Sequence, residues 1–251
     1  MPVSSAVMKA FRVLRLLRRT PGPLSLTEVS RSLKIAPSSA HSILNELLDQ
    51  GAVTQDPDKR YRLGPSTFYL GAAFARGVPI YRGIWNDLVA IARELSLTAV
   101  IAVPWEGHHL ILSVHQSGGS DVDVAFGGRV PLDAGSWGQA YHVWADATPL
   151  GELHSYTAKS ITDAGEYNLA LGRARLRGYA TDNEEFTTGV GAVTSGVTSE
   201  RGYEGIASLV GPIAHMSEIG FDVAGRRLAS LVSRGSFALG DPGRIRVVGS
   251  E

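Results

Sequence analysis

Short polar side chains between residues 38 and 45 are the groups best placed to do chemistry, and that chemistry would be DNA recognition. If this stretch is helical, one of its faces presents Ser38, Ser39, His41, Ser42 and Asn45. Hydroxyl, imidazole and amide groups of this size can hydrogen-bond to base edges or to phosphate oxygens. The alternative is that the polar face is only solvated and that the segment docks on another protein.

Basic side chains that follow this stretch could neutralise DNA phosphates. They are Lys59, Arg60 and Arg62. Thr27, which lies before residues 38–45 in the sequence, is a further DNA-binding candidate through its hydroxyl group. Cations near the DNA backbone release condensed counterions, and this supplies affinity that does not depend on base sequence.

Three helices would have to position these groups. They are expected at residues 5–19, 25–33 and 37–50, with a tight turn at 34–36. Ser25 and Glu28 have the spacing of a capping box, which indicates the start of the second helix. Pro37 suits the first position of the third helix, and Gly51 is a natural residue at its end.

The apolar pattern changes after Gly51, which indicates a pair of short strands. Residues 52–55 and 60–63 are strand-like, and the sequence Asp-Pro-Asp-Lys between them is typical of a turn. A wing over 53–63 behind two helices makes a winged helix-turn-helix, in which the second helix of the pair enters the major groove. We therefore predict a DNA-binding domain at 1–64.

The charge distribution supports two domains with different partners. The chain of 251 residues has no net charge, but residues 1–75 contain ten basic and five acidic residues, whereas the remainder contains fourteen basic and nineteen acidic ones. The first part is thus +5 and could bind a polyanion, and the second part is −5. The 44% hydrophobic and 19% charged composition is that of a packed, soluble fold.

No set of residues has the spacing that an enzyme or a metal centre requires. The chain contains no cysteine, no Gly-x-Ser-x-Gly elbow and no Gly-x-x-x-x-Gly-Lys phosphate loop. Glu184 and Glu185 are adjacent and fit a loop better than an acid–base pair, while His108, His109 and His115 lack a recognisable ligand spacing. We predict no enzymatic activity, no cofactor and no metal.

The chain also shows no apolar run near the roughly 18 residues that a membrane span needs, and no export signal. A cytoplasmic protein that does not interact with membranes is therefore expected.

Motifs along most of the chain are similar to those of a known family. LSLTEVSRSL at 24–33, SSAHSIL at 38–44 and RYRLG at 60–64 resemble the DNA-binding domain of the isocitrate lyase regulator (IclR) family. RVPL at 129–132, GQA at 138–140, RGYA at 177–180, DNEE at 182–185 and GV at 189–190 resemble landmarks of its effector-binding domain.

The resemblance implies a bacterial regulator that binds a palindromic operator as a homodimer or tetramer. One position departs from the family pattern: members often have arginine in the recognition helix where this chain has Ser42. The resemblance therefore implies DNA binding without implying a particular operator sequence.

The remaining chain is expected to form a linker helix at 65–78 and an effector-binding domain at 79–251. Apolar Phe68, Leu70 and Phe74 suggest that the linker packs against a second subunit, the alternative being burial against its own domain. Helices are expected at 80–95, 136–145, 165–177 and 215–232, and strands at 98–103, 110–114, 122–126, 190–198 and 203–210. This pattern predicts an antiparallel sheet with flanking helices, which the resemblance identifies as GAF-like, so that the fold class is two-domain α+β.

An effector site follows from the resemblance. It implies a pocket at Ser136, Trp137, Gly138, Asp182, Ala192, Ser208 and Val210. The first turn of the helix near Ser136 has free amides suited to a carboxylate. Ala192, Val210 and the large Trp137 make the pocket apolar and favour an aromatic acid, amide or related ligand, the alternative being that Trp137 only packs the core.

We thus expect a ligand-responsive transcriptional regulator, acting as a repressor, that binds double-stranded DNA and a small organic effector. A stand-alone ligand-binding or docking module and a hydrolase without DNA contact are the alternatives.

Overall fold

The computed structural model describes residues 5–148 and 153–238 of the chain. The outer limits of the two predicted domains, at residues 1 and 251, lie outside the described residues. The chain divides into two compact units, Met1–Arg76 and Gly77–Glu251. The helix predicted as a linker thus lies almost entirely within the first unit.

The first unit is a winged helix-turn-helix followed by one more helix. In chain order its elements are α1 (Ala6–Arg19), α2 (Leu26–Leu33), α3 (Pro37–Asp49), β1 (Val53–Gln55), β2 (Tyr61–Leu63) and α4 (Pro65–Gly77). Strands β1 and β2 are antiparallel. Val13, Val29 and Leu44 belong to a small core that the three helices share with the wing. The predicted helices and the wing are confirmed.

Local sequence explains why α2 and α3 begin and end where they do. The Ser25 side chain accepts from the Glu28 amide, and the Glu28 carboxylate accepts from the Ser25 amide, so the predicted capping box is present. Lys34 ends α2 in the left-handed conformation with φ 53°. Pro37 occupies the first turn of α3, where its missing N–H leaves no hydrogen bond unmade.

The second unit is a six-stranded antiparallel sheet with helices on both faces. Its elements are α5 (Pro79–Glu94), β3 (Thr98–Trp105), β4 (His108–Gln116), β5 (Arg129–Pro131), α6 (Gly135–Trp144), α7 (Ala164–Arg177), β6 (Ala180–Asn183), β7 (Val190–Ser199), β8 (Gly202–Pro212), α8 (Ile213–Ile219) and α9 (Phe221–Ala238). The strand order is β5-β4-β3-β8-β7-β6. This is the predicted antiparallel sheet with flanking helices.

Alternation along the strands divides the core of this unit into two layers. On β3, Ala99 and Ile101 pack with α5 and α9, whereas Val100 and Ala102 pack on the other face with residues of α6. Successive side chains of a strand point to opposite faces, so one strand serves both layers. The effector pocket described below lies on the α6 face.

Two of the predicted elements are wrong. Residues 122–126 were expected as a strand, but they form an irregular segment. Val122 is buried and Asp123 is exposed, so the alternation of apolar and polar residues comes from a loop that covers the core on one side, without strand pairing. The Val122 carbonyl accepts from the Gln116 side chain, at 2.7 Å, instead of from a neighbouring strand.

The closing helix expected at 215–232 is two helices. Gly220 adopts φ 85° and ψ 124° between α8 and α9, a positive-φ conformation that favours glycine and ends the first helix. Strands β5 and β6 were not expected at all, because runs of three and four residues are too short to show a clear period.

Among the residues that the structure describes, no helix is both long and apolar enough to span a bilayer.

Candidate DNA-binding surface and effector pocket

Helix α3 presents the expected polar face. Ala40 and Leu44 are buried beneath it, while Ser38, His41, Ser42 and Asn45 are exposed and Ser39 is half-buried. Asn45 Nδ2 lies 3.3 Å from His41 Nδ1, one turn earlier, so these two side chains form a linked pair. The geometry therefore leaves hydroxyl, imidazole and amide groups together on an open helix face.

The N-terminus of α3 is also open. Its N-cap is Ala36, and no side chain caps the first turn. Uncapped amides at a helix N-terminus, together with the helix dipole, favour a phosphate. Thr27, on the preceding helix, is exposed as well.

The wing places its three cations differently. Lys59 lies in the β-turn with φ 57°, and both Lys59 and Arg62 are exposed. The Arg60 guanidinium instead bonds within the fold: Nη2 donates to Glu28 Oε2 at 2.9 Å, and Nε donates to the Pro23 carbonyl at 3.0 Å. Arg60 thus ties the wing to the capping box of α2, and its predicted phosphate contact competes with these bonds.

The hydrogen bonds around Glu28 also affect its ionisation. The Ser25 amide and hydroxyl, together with the cation of Arg60, hold the pKa of Glu28 below its usual value. The carboxylate that anchors Arg60 is therefore charged at neutral pH.

The second unit contains a cavity of about 320 Å³ between the sheet, the start of α6 and the irregular segment before β5. That volume is within the range of small-molecule sites. Its walls are largely apolar, and the apolar side chains among them are Ile111, Val122, Val124, Ala125, Val130, Ala134, Trp137, Phe186, Val190, Ala192 and Val210. The charged residues that line it are Asp123, Arg129 and Asp182.

Four of the seven residues predicted for the effector line this cavity. They are Trp137, Asp182, Ala192 and Val210, whereas Ser136, Gly138 and Ser208 are not part of its lining. A Cβ on Gly138 would collide with the backbone of Asp133, so this glycine allows α6 to pack closely.

The two predicted serines belong to a buried chain of hydroxyl groups behind the cavity wall. Ser136 Oγ lies 2.8 Å from Thr194 Oγ1, which in turn lies 2.9 Å from Ser208 Oγ. Ser208 Oγ donates to the Val193 carbonyl and accepts from Trp137 Nε1 at 3.2 Å. This chain of hydroxyl groups holds the Trp137 ring in place, and its members are already hydrogen-bonded to one another or to the backbone.

Asp182 is the buried acid of the cavity. Its Oδ1 accepts from the Glu185 amide at 2.7 Å, and the backbone amides of Phe186 and Ser136 also bond to the carboxylate. Its Oδ2 lies against Gly135, where a Cβ would clash with it. The carboxylate therefore occupies the N-terminus of α6.

Burial sets the protonation of Asp182 and of its neighbour Glu185. Burial raises the pKa of Asp182 to about 6 in spite of the amides that stabilise its charge. Burial, followed by the charge of Asp182, raises the pKa of Glu185 to about 8. Asp182 is thus the member of this pair that is ionised at neutral pH.

Sequence reasoning missed much of the cavity wall. Val122 and Val124 were assigned to a strand, and Ile111 was expected only as part of a strand. Phe186 and Arg129 had no role beyond the motifs that contain or adjoin them. The Arg129 guanidinium contacts the Trp105 ring at 5.0 Å and lies 2.9 Å from His108 Nδ1, so it is partly engaged elsewhere.

No metal centre is formed in the part of the chain that the structure describes, since no group of three or more suitable ligands converges there. His109 instead lies buried beneath Trp137, with its Nε2 atom 3.0 Å from the Tyr203 hydroxyl. Burial lowers the pKa of His109 to about 3, so its imidazole is neutral.

Comparison with known proteins gives two family matches in the same order as the two units. The IclR helix-turn-helix domain matches residues 6–57, and the bacterial transcriptional regulator IclR C-terminal domain matches residues 86–232. The HTH-type transcriptional regulator BhcR of Paracoccus denitrificans is 30% identical over 85% of this chain and 79% of its own length.

Two further relatives have informative names. The transcriptional repressor IclR of Escherichia coli is 23% identical over 86% of this chain and 84% of its own length. An IclR homolog of Microbacterium hydrocarbonoxydans, solved in complex with 4-hydroxybenzoate, superposes with a TM-score of 0.77 at 18% identity, covering 94% of this chain and 99% of the other. At that identity the superposition shows a shared fold.

Proposed function

The chain belongs to the IclR family of transcriptional regulators, and we propose that α3 and the β1–β2 wing bind a palindromic operator whose affinity a small effector modulates. The observation that supports this most directly is the open N-terminus of α3 beside its exposed polar face. The uncapped amides suit a phosphate, and the side chains of His41 and Asn45 suit base edges.

The cations of the wing have distinct roles in this proposal. Lys59 and Arg62 are exposed and neutralise phosphates, while Arg60 holds the wing in position through Glu28. Ser38, Ser39, Ser42 and Thr27 supply further hydrogen bonds to the DNA. Base recognition then rests on short side chains without an arginine in the recognition helix.

A mobility-shift assay with the DNA upstream of the chain's own gene tests this proposal. We expect a specific complex whose logarithmic affinity falls linearly with the logarithm of salt concentration, because phosphate contacts release counterions. Double substitution of Lys59 and Arg62 by alanine should reduce that slope by about two for each bound subunit, and thus by about four for a dimer on the palindrome. A stand-alone ligand-binding module or a hydrolase would show no specific complex at any salt concentration.

The effector proposed for the second unit is a small aromatic acid, amide or related compound. The cavity has an apolar wall with Trp137 and Phe186, and the side chains of Ala192 and Val210 offer a ligand no hydrogen-bonding group. A relative of the same fold holds an aromatic acid. Calorimetry that compares small oxoacids with benzoate-type compounds tests the proposed chemical class of the effector. Tight binding of oxoacids alone would contradict an aromatic effector.

A second copy of the chain is the partner that we propose for α4. Phe68, Tyr69, Leu70 and Phe74 on this helix are 55–73% exposed, so they are not buried against their own domain. Val7 and Phe11 on α1 are exposed as well. Apolar patches of this kind mark association sites, and a homodimer, or a tetramer of two dimers, matches a palindromic operator.

We further propose that the protein acts as a repressor in the bacterial cytoplasm, where its operator lies. Repression rather than activation is supported by the name of the Escherichia coli relative, which is a transcriptional repressor. A promoter fusion measured with and without the gene tests the sign, since loss of a repressor raises expression.

A further inference from the structure

The hydrogen-bond donors at and just behind the Trp137 side of the effector cavity are already used within the fold. They are Trp137, which lines the cavity, and Ser136 and Ser208 behind its wall. Trp137 Nε1 donates to Ser208, and the Ser208 hydroxyl donates to the Val193 carbonyl. The Ser136 hydroxyl is paired with Thr194. A ligand carboxylate entering here would find none of these three donors free.

The N-terminus of α6, which would otherwise receive a carboxylate, is filled from inside the protein. The Asp182 carboxylate accepts from the Ser136 and Glu185 amides and lies against Gly135. Its own negative charge therefore takes the position that a ligand anion would need. Two carboxylates a few ångströms apart repel strongly in a buried site, and one of them must take up a proton.

An acceptor, in contrast, is available. A carboxylate has about four lone-pair positions, and the backbone amides of Ser136, Glu185 and Phe186 occupy at most three of them. Asp182 lines the cavity, so the remaining position is open to a ligand N–H or O–H group.

From these contacts we propose that the effector is a neutral aromatic compound whose N–H or O–H group donates to Asp182, and that the matching carboxylate is rejected. This inference rests on the proposed function, because it assumes that the cavity is the effector site. It selects the amide over the acid, a choice that the apolar walls alone leave open.

The charges around Asp182 favour the same choice. Glu185 is protonated at neutral pH, and Glu184 is paired with Lys159, so neither adds a free negative charge. Asp123 is the second acid on the cavity wall.

The cation that lines the cavity is Arg129. Its Nη2 atom lies 2.9 Å from His108 Nδ1 and its guanidinium lies over the Trp105 ring, while its buried Nε atom has no hydrogen-bond partner. The charged side chains that line the cavity are therefore two carboxylates, Asp123 and Asp182, and one guanidinium, so that carboxylates predominate.

Isothermal titration calorimetry of the full chain with matched pairs of probes tests the inference. The pairs are benzamide and benzoate, 4-hydroxybenzamide and 4-hydroxybenzoate, and phenylacetamide and phenylacetate. At pH 7.5 we expect at least one amide to bind about tenfold or more tightly than its acid, since the acid must first protonate Asp182.

The pH dependence provides a test that needs no variant. Between pH 7 and 8 the affinity for the amide should stay nearly constant, because Asp182 is already ionised there. At pH 6 it should be about half as great, because only about half of Asp182 is then ionised. The affinity for the acid should fall by about tenfold for each pH unit above the pKa of about 6, as the protonated fraction of Asp182 falls.

Asp182→Asn isolates the charge, since asparagine keeps the size of the side chain and can still accept from the Glu185 amide. We expect this variant to lose the preference for amides and to bind the acids more tightly than the wild type does. Asp123→Asn is the matched control, because Asp123 lines the same cavity but is exposed, and it should keep the preference.

Three outcomes would overturn the inference. Acids that bind as tightly as amides without pH dependence, or a preference that survives in Asp182→Asn, would remove the role of Asp182 while leaving the cavity as the effector site. Failure of every probe to bind would overturn both the neutral ligand and the aromatic effector class, while the mobility-shift assay would still report separately on DNA binding.

Discussion

The ionisation of Glu185 is coupled to the stability of the effector unit. Its Oε2 atom accepts from Gln139 Nε2 at 2.9 Å, and burial and the charge of Asp182 raise its pKa from 4.5 to about 8. The folded protein therefore binds a proton at Glu185 that the unfolded chain has released between these pH values.

The sign of the effect follows from this difference in bound protons. The contribution of Glu185 to stability is fully present below pH 4.5 and is lost as the pH rises through about 8. Glu185→Gln, which cannot ionise, should thus gain stability relative to the wild type between pH 5 and 8.5. Urea denaturation at several pH values measures this difference, the exposed Glu200→Gln serves as control, and an equal difference at all pH values would contradict it.

His41 tests base recognition at the scale of one side chain. We expect His41→Ala to weaken operator binding by about tenfold, because it removes a polar group and its bond to Asn45 from the open face of α3. Fluorescence anisotropy with labelled operator measures this, and the exposed Ser233→Ala on α9 is the control. Wild-type affinity in His41→Ala would undo the assignment of this face.

Individual side chains show how far a sequence alone can be interpreted. Ser38, His41 and Asn45 could be assigned to an exposed face because helical spacing fixes which side of α3 they share. The bond from Arg60 to Glu28 spans 32 positions, and the contact of Asp182 with Gly135 spans 47, so local spacing contains no information about them. Both contacts depend on how the elements pack.

Substitution of a glycine by alanine is expected to have opposite effects on stability at Gly220, between two helices, and at Gly172, within one. Gly220 has φ 85° between α8 and α9, and an added Cβ would make only an ordinary contact of 3.9 Å with Val223 Cγ2, so Gly220→Ala should cost about 1 kcal/mol through backbone strain. Gly172 lies within α7 with nothing near its missing Cβ, so Gly172→Ala should stabilise the unit by up to about 1 kcal/mol.

Thermal or urea denaturation of the two variants measures both changes against the same wild type. A stabilised Gly220→Ala would show that the break between α8 and α9 is not held by the glycine. Equal shifts of the two variants would show that the backbone conformation at these positions does not decide the outcome.

Elements with strong local rules were the predictable part of the fold. The capping box at Ser25 and the proline at position 37 specified the first residues of α2 and α3, and the turn 56–59 specified the wing. The prediction of a strand at residues 122–126 was wrong, because the alternation of valine with aspartate around Val122 fits a covered loop as well as a strand. The segment lies over the cavity, and only the tertiary structure shows that no ladder partner faces it.

At the scale of the whole molecule, α4 is expected to determine association. Phe68→Ser combined with Leu70→Ser should shift the protein toward monomers and weaken binding to the complete palindrome, because both side chains are mostly exposed in the single chain. Affinity for an isolated half-site should change little, since neither residue lies on α3 or the wing.

Sedimentation velocity measures the oligomeric state, and anisotropy with full and half operators measures the two affinities. Leu176→Ser is a suitable control because this leucine is 90% exposed on α7, away from α4 in the sequence and in the other unit. An unchanged oligomer in the α4 variant would place the subunit interface elsewhere.

The two outermost strands of the sheet, β5 and β6, have only three and four residues. An exposed strand edge is a template on which other chains can add strands, and a short edge offers few free amides and carbonyls for this. Strands β3 and β8 have a strand on each side, whereas β6 pairs with only residues 191–194 of the outer edge of β7. The same two short strands also contribute Arg129, Val130 and Asp182 to the cavity wall. The strands that border the ligand therefore also limit fibril-like growth of the sheet, and changes made there to alter ligand preference should be checked for solubility as well as for affinity.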